Sequence, residues 1–65
     1  MTPNEEKIYM VVYHFIREYR YPPTIREIAD ICHYDRKYIG NVLKSLKRKG
    51  VIDYQEKKVR TIVLQ

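Results

Sequence analysis

At Gly50 the hydrophobic pattern of this 65-residue chain switches from a helical period to strand-like alternation. Upstream, apolar residues recur every three or four positions. Downstream, residues 51–55 and 59–64 are rich in β-branched side chains and are separated by Glu56-Lys57-Lys58. A chain written this way forms helices first and then a two-stranded hairpin. The hairpin turn lacks the Asn-Gly or Asp-Gly pair that favours the tightest connection.

The helical part divides into three. Thr2-Pro3-Asn4-Glu5 is a capping box with Pro at the first helical position. Ile8, Val11, Val12, Phe15, Ile16 and Tyr19 then form one apolar face, until Tyr21-Pro22-Pro23 ends the helix. Thr24-Ile25-Arg26-Glu27 repeats the box and opens a short second helix, with Ile28, Ala29, Ile31 and Cys32 as its expected buried side. His33-Tyr34 makes a tight connection, Asp35 caps a third helix, and Gly50 suits the left-handed position after its end. We therefore expect a mostly α (α+β) fold, a winged helix-turn-helix of three helices and a two-stranded β-hairpin wing, with residues 1–65 as a single domain.

A chain this short buries only about 60% of the surface its unfolded form exposes, which leaves little room for an enclosed substrate pocket. Its lone Cys32 has no internal disulfide partner, so a reducing cytoplasm is the expected setting. Cys32 falls on the apolar side of its helix and reads as a small buried hydrophobe. His14 and His33 do not make a zinc pattern with it. No Ser-His-acid or paired-carboxylate arrangement stands out, so we expect no enzyme, no cofactor and no metal. No signal peptide is visible, and no apolar run approaches the roughly 20 residues needed to cross a bilayer.

Charge is placed unevenly. Residues 36–52 carry six basic side chains and no acidic one, whereas residues 1–35 carry four basic and six acidic. Most of the chain's net +5 thus sits on one amphipathic helix, which attracts and orients a polyanion. On a helical wheel Ile39, Val42, Leu43 and Leu46 fall within an arc of about 100°. Lys37, Asn41, Lys44 and Arg48 lie opposite, with Gly40 and Lys47 along the edge. Such a helix fits the major groove of double-stranded DNA. Asn41 is suited to pair with adenine and Lys37 with guanine, while Gly40 allows close approach. Lys44, Lys47 and Arg48 are placed for phosphates. Thr24 and Arg26, at the start of the second helix, are candidate phosphate holders, and Lys57 and Lys58 are candidate wing contacts.

Two stretches make a more specific match. Tyr21-Pro22-Pro23-Thr24-Ile25-Arg26-Glu27-Ile28-Ala29 and Leu43-Lys44-Ser45-Leu46-Lys47-Arg48-Lys49-Gly50-Val51-Ile52 resemble the DNA-binding domain of the LexA-type SOS repressors. The resemblance runs from Thr2 to about Leu64. It implies that the third helix reads operator DNA and that the hairpin is the wing, and by position it assigns Arg36, Lys37, Tyr38 and Asn41 to the reading tip. Two features depart from the family. His33-Tyr34 stands where a Gly and an apolar residue are usual, and the tip reads Asp35-Arg36-Lys37-Tyr38 rather than a Ser/Asn-rich stretch. The SOS operator is therefore not carried over. The family's C-terminal self-cleavage domain, with its Ala-Gly bond, Ser nucleophile and Lys base, is not found through Gln65. A stand-alone small regulator and a piece of a larger repressor both stay open.

The expected function is sequence-specific transcriptional regulation, as a repressor, by a monomer that gains affinity from a homodimer on a palindromic operator or from a protein partner. The rival reading is a protein-interaction module. Seven tyrosines keep it open, because Tyr9, Tyr13, Tyr19, Tyr34 and Tyr54 do not all fit a small core and Tyr is enriched at interfaces. Salt separates the two: counterion release makes DNA binding fall steeply with ionic strength.

Overall fold

The computed structural model describes all 65 residues, and each helix starts where a capping side chain is available. α1 (Pro3–Tyr19) has both halves of its capping box: Thr2 Oγ1 accepts from the Glu5 N–H, and the Thr2 N–H donates to Glu5 Oε1. α2 (Ile25–Cys32) repeats this with Thr24 and Glu27. α3 (Arg36–Arg48) is capped by Asp35, whose carboxylate accepts from the Lys37 N–H.

All three helices end through a left-handed residue. At the end of α3 that residue is Gly50 (φ +80°), with Gly50 N–H donating to Lys47 O and Val51 N–H to Leu46 O. This is the paired C-terminal motif that glycine favours. α2 ends the same way on His33 (φ 60°), and Tyr34 N–H reaches Ala29 O. Arg20 (φ 66°) closes α1 with a bond to Ile16 O. His33 thus holds a backbone conformation that L-residues other than Asn, Asp and His seldom adopt, which accounts for the glycine usual there in the family it resembles.

The core gathers Ile8 and Val12 of α1, Ile28, Ala29 and Cys32 of α2, and Ile39, Val42, Leu43 and Leu46 of α3. Ile52, Tyr54 and Ile62 of the hairpin close it. Fully burying one such Ile or Leu contributes roughly 1.5–3 kcal/mol. Two expectations are corrected. Ile31 is 51% exposed, because it lies about 100° around α2 from the centre of the buried trio. Tyr19 is 53% exposed in the last turn of α1, where its ring packs 4.6 Å from Phe15 in an outer aromatic group with Tyr21.

The hairpin is antiparallel but shorter than the alternation predicts. Only β1 (Ile52–Asp53) and β2 (Val63–Leu64) pair, with Ile52 opposite Leu64 and Asp53 opposite Val63. Beyond them side chains replace the ladder. Asp53 Oδ1 accepts from the Tyr54 N–H, the Gln55 N–H donates to Thr61 Oγ1, and that hydroxyl donates to Gln55 O. Lys57 (φ 66°) and Arg60 (φ 54°) are left-handed, which breaks the extended run. The wing is a two-rung stem carrying a loop.

Candidate nucleic-acid interface

The packing of α3 decides which of its side chains are free. With Ile39, Val42, Leu43 and Leu46 buried, Lys37, Asn41, Lys44 and Arg48 project from the exposed side. Gly40 lies on the edge of that face, and a Cβ built there meets nothing within 4 Å. No intramolecular packing therefore demands a glycine at this position.

Next to this face, a groove of about 590 Å³ runs between the start of α2, the first turn of α3 and the wing. Thr24, Arg26, Arg36, Lys37, Lys57 and Lys58 all line it, so three separate segments converge on one surface. No Asp or Glu lines the groove. Arg26, Arg36, Lys37, Lys57 and Lys58 form no ion pair, nor does Arg48 at the far end of α3. A concave surface lined by one sign of charge focuses its field outward.

Lys47 and Lys44 of α3 have partners. Lys47 Nζ donates to Tyr54 O at 2.8 Å, lies 3.6 Å from Asp53 and sits 5.0 Å from the Tyr54 ring centroid, so it ties α3 to the base of the wing. Lys44 lies 3.8 Å from Glu56, with both side chains more than half exposed. Tyr38 is on the opposite edge of α3, where its hydroxyl accepts from Asn4 Nδ2 and its ring packs edge-on against Tyr34. The structure therefore does not group Tyr38 with the groove residues.

Two locks that local sequence patterns did not disclose hold this surface in place. Glu5 caps α1 and is also 8% exposed, accepting from Ser45 Oγ of α3 at 2.6 Å and from Lys49 Nζ, one residue past the end of α3, at 2.7 Å. The Lys49 ammonium, the Ser45 hydroxyl and the Thr2 N–H together lower its carboxyl pKa from 4.5 to about 2. Glu27 caps α2 and meets the Arg60 guanidinium with two parallel bonds of 3.0 Å. Arg60 first, then the Thr24 N–H, hold the Glu27 carboxyl below its ordinary value. The partners lie 44 and 33 residues apart, and each glutamate already had a role as a helix cap. No local spacing reveals such a second role.

Three helices with a hairpin packed behind the third, and an acid-free basic groove between them, define a winged helix-turn-helix nucleic-acid-binding domain. Residues 1–61 match the LexA DNA binding domain family, and the chain belongs to that family. It is 27% identical over 66 aligned positions to the LexA repressor of Thermobifida fusca. The alignment takes in all of this chain and 26% of that repressor.

Proposed function

We propose that residues 1–65 act as a single, non-catalytic, sequence-specific binding domain for double-stranded DNA that serves transcriptional repression. In this reading α3 enters the major groove. Arg36, Lys37 and Asn41 face base edges, and Lys44 and Arg48 face phosphates further along. Thr24 and Arg26 hold the backbone at the start of α2, while Lys57 and Lys58 reach it from the wing. Gly40 sits at the point of closest approach, and Tyr38 and Lys47 flank the reading face. The domain works in the cytoplasm, where its DNA is.

The observation that carries this reading is the acid-free groove and its continuity with the exposed face of α3. A single module of this size buries about 600–1,000 Å² on DNA, so we further propose pairing on a palindromic site. Selection from random duplex DNA at low and high salt tests the proposal. The expected result is an enriched palindromic motif bound with an affinity that falls steeply with salt. Binding without a motif would remove sequence reading, and no binding at low salt would overturn the function.

A further inference from the structure

The wing has too little sheet to set its own direction. Its stem is two residue pairs long, and the loop beyond it contains the left-handed Lys57 and Arg60. An isolated short hairpin is marginal in water, so contacts outside the hairpin must orient it. Ile52, Tyr54 and Ile62 seat its base in the core and Lys47 bonds Tyr54 O, but the hydrogen bonds from residues 55–61 to the rest of the fold all come from Arg60. Arg60 donates from Nη1 to Glu27 Oε1 and from Nη2 to Glu27 Oε2, both at 3.0 Å, and Nη1 also reaches Pro22 O at 3.1 Å. The guanidinium lies 4.7 Å from the Tyr21 ring centroid, and Tyr21 meets Phe15 edge-on at 5.7 Å. A planar cation with two parallel bonds and a stacked face has one orientation, which a lysine does not reproduce.

We propose that Arg60 is a positioning residue, a clamp that fixes the wing on the first turn of α2 and thereby holds Lys57 and Lys58 across the groove from Arg26 and Arg36. This rests on the DNA-binding reading above, but it assigns Arg60 and Glu27 a task of their own. Arg60 spends its charge on Glu27 rather than on a phosphate. Glu27, although an acid beside a DNA-binding groove, promotes binding.

That last consequence has a sign opposite to simple electrostatics. Removing an acid from a basic surface ordinarily strengthens DNA binding. Glu27→Gln keeps a side chain competent for the capping box, since Gln serves there as well as Glu, but removes the charge and, by putting an NH2 donor in place of Oε2, one of the two bonds from Arg60. If the clamp operates, Glu27→Gln lowers affinity about three- to tenfold, the bias expected of a bidentate pair that is partly exposed. The salt dependence should also become shallower by up to about two ions, one for each wing lysine that disengages. If Arg60 instead contacts a phosphate itself, the same substitution frees it, and affinity rises.

The experiment pairs DNA titrations of wild type, Glu27→Gln and Arg60→Gln with backbone amide relaxation of residues 55–61 in the free proteins. The expected result is a wing that loses order in both variants while α1–α3 keep their spectra, together with weaker, less salt-sensitive binding. A wing as ordered as in wild type would overturn the clamp, whatever happens to DNA. A disordered wing with unchanged or stronger binding would overturn its role in recognition. If wild type binds no DNA, the functional reading fails, and the relaxation data still decide whether Arg60 orients the wing.

Discussion

Replacing Gly40 with Ala should stabilise the fold and weaken DNA binding at the same time. Gly40 lies inside α3, where glycine is less favourable than alanine by about 0.5–1 kcal/mol because it loses more backbone freedom on folding. A methyl group there meets nothing within 4 Å, so no steric cost opposes that gain. For a domain of this size, 0.5–1 kcal/mol raises Tm by about 2–8 °C. In the proposed complex the same methyl would face the DNA. Forcing an extra carbon into a packed contact costs about 1–3 kcal/mol, or roughly five- to 150-fold in affinity. The substitution changes no charge, so the salt dependence should stay as in wild type. Thermal melting followed by circular dichroism and fluorescence-anisotropy titration at three salt concentrations read both effects on one sample. A higher Tm with affinity within twofold of wild type would refute close approach at Gly40. A lower Tm would refute the helix-propensity reasoning itself.

Other consequences follow from particular contacts. Lys37→Ala or Asn41→Ala should each cost about 1–3 kcal/mol on the selected site and relax preference at one base pair, whereas Arg48→Ala should weaken all sequences alike and lower the salt slope by about one; equal losses on selected and random DNA for the first two would remove them from base reading. Glu5 has a depressed pKa, so the stability it provides is complete above its ordinary 4.5 and is lost as pH falls toward 2. Denaturant titrations should therefore show a decline through that window, one that Glu5→Gln, which retains a capping side chain, makes shallower. His33→Gly relieves a left-handed non-glycine residue and should raise the denaturation midpoint, by up to about 1 kcal/mol in stability; a lower midpoint would show that the His33 side chain contributes more than its backbone costs.

How much of this was legible from the sequence depended on the range of each interaction. The helix starts were readable because Thr2 and Glu5, Thr24 and Glu27, and Asp35 and Lys37 bond within one turn. Gly50 was readable because its left-handed backbone is a glycine preference. The true length of the wing strands is not legible, because alternation at residues 59–64 discloses neither the left-handed backbone of Arg60 nor its bond to Glu27, 33 positions away. The exposure of Ile31 is not legible, because spacing identifies an apolar side chain but not how far an eight-residue helix rotates against its neighbours.

The basic stretch was the strongest sequence signal for function, yet its six charges are not equivalent in the fold. Lys49 is spent on Glu5 and Lys47 on the base of the wing, so two of the six organise the domain. The groove recovers that loss from outside the stretch, through Arg26 of α2 and Lys57 and Lys58 of the wing. A count along the stretch therefore does not say which cations line the groove. The field facing DNA depends on how two glutamates, Glu5 and Glu27, hold α1 against α3 and α2 against the wing. Acids inside a DNA-binding domain are usually taken as charges that binding must overcome. Here both are consumed in positioning the cations, so neutralising either should weaken the interface by misplacing charge, even as the net charge of the protein becomes more positive.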